Sequence, residues 1–295
     1  MQDIFSIGEK LGVVKNQSLK SFTTIKVGGK CKYFFSPSRL IDLRLAIELF
    51  NEKGVPVKFL GNGSNVIFSD NDFNGAVISI KNLKGIFLKQ NVVRVMAGES
   101  INSLQKFCLK NLLSGLEFSA GIPATIGGAT TMNAGAFNSD FSAVVKSVSV
   151  LQDGYIKVYD KIDCKFKYRE SVFLRKNLPI ISADFSLKKS TYSQVEELTK
   201  KYILKRKKAQ PSGKTCGSFF KNPKGNFAGK LIEQAGLKGF KVGGALVSPV
   251  HANFIVNTGN ATAKNVFDLA QQIKEKVYAN SGIKLKEEIE FIGEF

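Results

Sequence analysis

The chain holds one histidine, His251, in 295 residues, and its four cysteines, Cys31, Cys108, Cys164 and Cys216, lie far apart with no C-x-x-C pair among them. That scarcity excludes a zinc centre of ordinary ligand spacing. Four scattered cysteines in a large chain without a secretory start are expected to be buried thiols rather than a disulfide framework. The opening MQDIFSIGEK carries Asp3 and Glu9 and no apolar core, so no secretory signal is expected and the cytoplasm is the expected location. No window approaches the ~18 uninterrupted apolar residues of a membrane span, so no membrane insertion is expected.

Three common signatures are incomplete. Gly213-Lys214-Thr215 would close a P-loop, but Lys208 stands where its first glycine must be. GNGSNV at 61–66 lacks the third glycine of a dinucleotide-binding G-x-G-x-x-G, which speaks against a doubly wound sheet of that type. No serine stands in a G-x-S-x-G elbow, and a lone histidine makes a Ser-His-Asp hydrolase a poor reading.

Acidic residues are also scarce, 24 against 43 lysines and arginines, for a net charge of +19. Between Glu197 and Asp268 the one acidic residue is Glu233, while thirteen lysines and arginines fall there, among them Lys205-Arg206-Lys207-Lys208. Such a field is either a solvated lysine-rich surface or an attractor of anions. Phe219, Phe220, Phe227 and Phe240 lie nearby, as a nucleic-acid groove would want. An anionic small molecule such as a nucleotide ranks first and nucleic acid second.

What the chain has in abundance is bare backbone. Residues 120–137, AGIPATIGGATTMNAGAF, contain four glycines, five alanines and no charge. Glycine and alanine bury little apolar surface, and glycine loses the most entropy on ordering. The segment is therefore either a connector or a place where peptide N–H groups approach a flat or anionic ligand.

At 295 residues the chain suggests two or three compact units, and its pattern is α+β. Strands are expected near 31–35 and 56–60 around a helix, IDLRLAIELFNEKG, stopped by Gly54. A tight Gly-Asn-Gly-Ser-Asn turn follows, then a meander over 76–97 and a helix from Ser100 to Leu113. SVSVLQDGYIKVYD reads as a hairpin turning at Asp153-Gly154. A helix over 193–208 is broken by Gln210-Pro211-Ser212-Gly213, the expected linker. Beyond it lie a helix near 227–235, strands near 244–247 and 252–256, and a long helix over 263–280. The pattern sets no oligomeric state.

Seven ordered motifs now carry a resemblance: TIKVGG (24–29), LGNGSN (60–65), AGIPATIGGATTMNAGAF, YRES (168–171), GSFFKNP (217–223), LIEQAGLKG (231–239) and EEIEFIG (287–293). From about Thr23 onward the chain resembles the UDP-N-acetylenolpyruvoylglucosamine reductases, flavoenzymes of peptidoglycan precursor synthesis. The resemblance implies an α+β FAD-binding fold of two subdomains, of the vanillyl-alcohol-oxidase type, plus a C-terminal substrate-binding domain. The expected boundaries are 1–78, 79–210 and 211–295. Only SVFLRKNLPIISADF separates Arg169 from the next strand, so the chain resembles the shorter branch, without an inserted tyrosine loop.

The implied cofactor is non-covalent FAD, with NADPH as hydride donor and a UDP-sugar as substrate. Its contacts carry over onto Gly61, Asn62, Gly63, Ser64, Asn65, Gly121, Ile122, Pro123, Gly127, Gly128 and Ala134, some of them expected to be structural turns. Ser218 matches the family's proton donor, Arg169 the arginine that pairs with the substrate carboxylate, and Glu288 the acidic catalytic residue near the C-terminus. Period-2 alternation in EEIEFI groups Glu288 with Glu290 and opposes Glu287, so the register among the three stays open. Lys221, Asn222 and His251 match substrate contacts. Two alternatives stand beside this reading: another FAD oxidoreductase of the same fold, for which residues 1–250 offer no histidine to tether the flavin, and a basic nucleic-acid-binding protein.

Overall fold

Leu43, Ala46, Leu49 and Phe50 recur at helical spacing, and all four are buried on one face of the helix Leu40–Glu52. Its outward face is mixed: Arg44 pairs with Glu48 and Asp42 with the preceding Arg39, while Ile41 and Leu45 are exposed. The helix stops before Gly54, whose φ of 64° lies in the left-handed region. This local logic recurs through the chain, which a computed structural model describes over residues 11–295. Residues 1–10, where no secretory signal is expected, lie outside the described residues.

Two units form, each with its own core. The first takes the described residues up to Lys15, Tyr33–Asn62 and Gly75–Arg206; the second takes Asn16–Lys32, Gly63–Asn74 and Lys207–Phe295. In the first, the strand Val57–Leu60 runs parallel to Phe73–Ser79, with Val57 opposite Ala76. A separate antiparallel sheet has five strands in the order Tyr155–Asp160, Val145–Gln152, Ile180–Ser186, Val92–Met96 and Ile86–Lys89. The hairpin expected at Asp153-Gly154 is present, and both residues have positive φ, 54° and 77°, as a type I′ turn demands. The core includes Phe50, Phe141, Phe173 and Phe185, all fully buried; burying such a side chain is worth about 1.5–3 kcal/mol.

The expected meander over 76–97 is not one sheet. Its first strand pairs with Val57–Leu60, and the chain changes sheets at the short turn Ile80–Asn82 before the antiparallel pair Ile86–Lys89 and Val92–Met96. Alternation reports a buried face but not which sheet owns it. The helix expected to end at Leu113 ends at Lys110, with Ser100 as its cap accepting from Ser103 N–H and Leu112 at φ 56°.

In the second unit the strands Thr215–Ser218, Phe254–Asn257, Ala245–Val247 and Lys241–Val242 form an antiparallel sheet in that order. The helix Ala263–Ser281 buries Val266, Leu269, Ala270, Ile273 and Val277. Its start carries a Thr262–Asn265 capping box, and the Asp70 carboxylate accepts from the N–H groups of Ala263 and Lys264, each at 2.9 Å. Glu290–Ile292 runs parallel to Val66–Phe68. Residues 288 and 289 are bends rather than strand, so the expected period-2 alternation through EEIEFI fails there. All four cysteines are buried thiols. Among the described residues no helix is long and apolar enough to cross a membrane.

Candidate active site

The glycine-alanine segment is not a bare connector. It contains the one-and-a-half-turn helix Ile126–Thr131, started by Thr125, whose Oγ1 accepts from Gly128 N–H at 3.3 Å. A Cβ at Gly127 would stand 2.7 Å from Ile80 Cδ1 and 2.9 Å from Ala97 Cβ, and one at Gly61 would fall on Thr125 Oγ1. Those two glycines serve the protein's own close packing. Gly128 differs, since a Cβ there meets only the capping Thr125 Oγ1, at 3.4 Å. Asn62 Nδ2 donates to Pro123 O at 2.7 Å, and Ile122 N–H to Ser119 O at 3.0 Å. Ala134 closes the segment, its N–H on Ala129 O and its carbonyl accepting from Phe141 N–H.

Arg169 is anchored to this segment. Tyr168-Arg169 form the tip of a turn in which Lys167 and Glu170 exchange hydrogen bonds at 3.0 and 3.2 Å. Arg169 has φ 54°, a place where glycine is usual and a non-glycine residue is strained by roughly 1–3 kcal/mol. Its guanidinium donates to Gly135 O at 2.9 Å. On one side of the turn buried Asn133 donates to Lys167 O at 3.1 Å and accepts from Ser142 N–H at 2.9 Å. On the other side Ser171 Oγ donates to Thr131 O at 2.6 Å. Helix and turn thus hold each other.

Arg206 joins the same place. Its Nε donates to Ala120 O at 3.0 Å, its guanidinium lies 5.7 Å from the centre of the Phe137 ring, and a Cβ at Gly121 would stand 3.0 Å from its Cδ. Burial, and then the neighbouring Arg169 cation, lower its pKa. Two guanidinium groups beside an uncharged backbone favour an anion. The N–H groups of Asn62 and Gly121 have no acceptor among the described residues. Free N–H donors, a glycine with its Cβ side open and adjacent cations fit a flavin dinucleotide, whose ring is flat and whose diphosphate is anionic.

Gly63, Ser64 and Asn65 belong to the second unit. Gly63 has φ 65°, and a Cβ there would overlap Phe22 O, while its carbonyl accepts from Thr24 N–H at 3.0 Å. The N–H groups of Gly63 and Ser64 likewise have no acceptor among the described residues. Asn65 is a brace: its Nδ2 donates to Glu288 O at 3.1 Å and its carbonyl accepts from Glu290 N–H at 3.0 Å.

Ser218 ends the strand Thr215–Ser218, opposite Phe254, beyond a register shift. Gly217 within that shift has φ 81° and nothing within 4 Å of a Cβ, so the conformation and not space demands glycine. Glu288 N–H donates to Phe219 O at 2.8 Å, which brings Glu288 beside the residue that follows Ser218. Its charge also reaches Cys216, whose thiol is pushed up to about 12, mainly by burial. Glu287 is taken up by Lys274 at 2.8 Å. Lys221 N–H donates to Lys286 O at 2.8 Å, and Asn222 Oδ1 accepts from Ala228 N–H at 3.0 Å. His251 packs edge-on to Phe254, and burial lowers its pKa against a backbone hydrogen bond that raises it, with Lys238 adding to the lowering and Glu233 opposing it.

Of the sequence candidates, then, the structure gathers Gly61, Asn62, Gly121, Ile122, Pro123, Gly127, Gly128, Ala134 and Arg169 within the first unit, and Gly63, Ser64, Asn65, Ser218, Lys221, Asn222, His251 and Glu288 within the second. Asn133 and Arg206 stand beside them without having been expected. Arg206 is hidden in a run of four cations, and Asn133 has no signal beyond an asparagine among glycines and alanines.

Residues 31–158 match the family model of an FAD binding domain, so the class is a flavoprotein with an α+β FAD-binding fold. Residues 209–292 match the C-terminal domain of UDP-N-acetylenolpyruvoylglucosamine reductase. The chain belongs to the UDP-N-acetylenolpyruvoylglucosamine reductase family. It is 41% identical over 293 residues to the UDP-N-acetylenolpyruvoylglucosamine reductase of Caldicellulosiruptor saccharolyticus, covering 97% of this chain and 94% of that protein. The enzyme of the same name from Anoxybacillus flavithermus is 40% identical over 288 residues, covering 96% and 95%. A solved UDP-N-acetylenolpyruvylglucosamine reductase from Thermus caldophilus matches with a TM-score of 0.82 and 34% identity, over 95% of this chain and 98% of that one.

Proposed function

We propose that this chain reduces the enolpyruvyl ether of UDP-N-acetylglucosamine to the lactyl ether of UDP-N-acetylmuramate, in the cytoplasm. The supporting observation is the Phe219–Glu288 hydrogen bond, which sets a carboxylate-bearing residue against the loop of Ser218 in a chain that matches the family over nearly its whole length. When bound, FAD would supply the hydride, with NADPH as its source, for the distal alkene carbon.

The chain's own residues handle charge and proton. Hydride addition moves electron density onto the carbon bearing the carboxylate, and Arg169, a permanently charged planar fork, pairs with that carboxylate as its charge grows. Ser218 Oγ donates a proton to the same carbon, which completes addition of hydride and proton across the double bond. A hydroxyl is a weak acid, so this step needs a dry site and a strongly basic carbanion. Glu288 is the acidic partner beside it. The open side of Gly128 and the N–H groups of Asn62, Gly63, Ser64 and Gly121 serve the flavin dinucleotide, with Arg206 as a further cation for its anionic part. Lys221, Asn222 and His251 serve the sugar nucleotide, and the basic span from 198 to 267 draws in both anionic substrates.

The test separates the half-reactions. In Ser218→Ala, NADPH should bleach the flavin at about the normal rate, while recolouring by the enolpyruvyl substrate slows by roughly 10²–10⁴-fold. Equal slowing of both would refute the proton-donor role.

A further inference from the structure

One residue ties the chain's single histidine to the Ser218 loop, its backbone reaching the ring and its side chain the loop. Asn253 is 4% exposed. Its Oδ1 accepts from Phe220 N–H at 2.9 Å, its Nδ2 donates to Phe220 O at 2.8 Å, and its carbonyl accepts from Phe219 N–H at 2.8 Å. Its own N–H donates to His251 Nδ1 at 3.2 Å. Three of these bonds grip the GSFFKNP loop and the fourth grips the ring. Phe220 lies two residues after Ser218 and two before Asn222, so a two-point clamp there sets both.

The circuit closes on the other side. Asn222 Oδ1 accepts from Ala228 N–H at the start of the helix Ala228–Gln234, and the next residue, Gly229, makes room for the imidazole: a Cβ there would stand 3.0 Å from His251 Cε1. Buried Ser248 fixes the backbone of the ring's turn, its Oγ accepting from the N–H groups of Val250 and His251. With Nδ1 occupied as an acceptor, the neutral imidazole carries its proton on Nε2. That ring therefore presents a hydrogen-bond donor, the polarity an anionic diphosphate requires.

We propose that Asn253 is a positioning residue that couples the His251 imidazole, held as the Nε2–H tautomer and so as a hydrogen-bond donor to a sugar nucleotide, to the loop that aims Ser218. The proposal rests on the reading of Ser218 as proton donor. Its chemical content is specific: shifting Phe220 shifts Ser218 Oγ relative to the reacting carbon, and a displacement near 1 Å is enough to slow a positioned reaction about 10²-fold.

The test uses the holoenzyme and Asn253→Asp, which keeps the shape and the acceptor for Phe220 N–H but replaces the donor to Phe220 O with a carboxylate oxygen. NADPH reduction of the flavin should stay near the wild-type rate, while reoxidation by the enolpyruvyl substrate slows by about 10–10²-fold. Because His251 is the only histidine, its labelled imidazole gives one NMR signal. The wild-type signal should be that of the Nε2–H tautomer and should move when the substrate is added to oxidised enzyme. Normal reoxidation in Asn253→Asp, with slow reoxidation in Ser218→Ala, overturns the coupling and leaves the Ser218 reading standing. Normal reoxidation in Ser218→Ala overturns that reading itself. Equal slowing of both half-reactions in Asn253→Asp makes Asn253 a structural tie only and overturns the coupling. An Nδ1–H tautomer in the wild type overturns it even where no variant folds.

Discussion

Adjacent glycines in one short helix should respond oppositely to the same added methyl group. Gly127→Ala would put a Cβ 2.7 Å from Ile80 Cδ1 and 2.9 Å from Ala97 Cβ, both in the first unit's core. Overpacking of that kind costs about 1–3 kcal/mol, and the melting temperature should fall by several degrees. Gly128→Ala meets only Thr125 Oγ1 at 3.4 Å and sits in the helix Ile126–Thr131. Replacing glycine by alanine there removes backbone entropy from the unfolded chain, worth roughly 0.5–1 kcal/mol, so the FAD-free protein should melt no lower than wild type. If Gly128 borders the flavin as proposed, its flavin affinity should drop at least tenfold, equivalent to about 1.4 kcal/mol, because the methyl group would fill that side. The assay is thermal melting with and without FAD, with a fluorescence titration of FAD. Saturating FAD should raise the wild-type melting temperature strongly and that of Gly128→Ala weakly. An unchanged FAD dissociation constant in Gly128→Ala would refute the argument that this side of the helix is a flavin surface.

Other perturbations test the supports. Asn133→Ala removes the partners of the part-buried Lys167 O and Ser142 N–H; at about 0.5–1.5 kcal/mol for each hydrogen bond lost, melting should fall and the substrate KM should rise as the Arg169 turn loosens, whereas melting within a degree of wild type would contradict it. The His251 pKa lies below its ordinary value in the folded state, burial outweighing a backbone hydrogen bond that raises it and Lys238 and Glu233 opposing each other. The unfolded chain then binds more protons than the folded one, so stability falls as pH drops below about 6.5 and levels off beneath the depressed folded pKa. Set against His251→Gln, the wild-type melting temperature should show this extra acid-side loss, and parallel pH curves would remove its basis. Burial holds the Cys108, Cys164 and Cys216 thiols up at about 12. At pH 8 only about one in 10⁴ of each is thiolate, so a chromogenic disulfide reagent should leave these three untouched until denaturant is added, and a fast stoichiometric reaction of the native protein at any of them would show otherwise.

The helices and hairpins were legible because their causes are local. Leu43, Ala46, Leu49 and Phe50 announce a buried face, and Asp153-Gly154 announces a type I′ turn. The run over 76–97 was not, because period-2 alternation is the same for Phe73–Ser79 and for Ile86–Lys89, although one pairs in parallel with Val57–Leu60 and the other in the antiparallel sheet. Register between elements is decided by partners elsewhere in the chain.

The candidate site divides along the same line. Motif residues such as Ser218, Arg169 and the glycines stand out because backbone shape or chemistry restricts what can occupy them, as φ 81° at Gly217 does for the turn before Ser218. The residues that hold them in place have no such local mark. Asn65 braces Glu288 across 223 positions, and Asn253 clamps Phe220 across 33. Each is an asparagine whose amide offers a donor and an acceptor; Asn253 uses both, tying off the carbonyl and the N–H of Phe220 with a single side chain. Asn257, reaching Ile25 O across 232 positions while accepting from Gly259 and Ala261 N–H, does the same beside TIKVGG. The long-range order of these loops therefore depends on asparagines as much as on glycines, and exchanging one for aspartate, which keeps volume but removes the donor, is the substitution that separates positioning from packing.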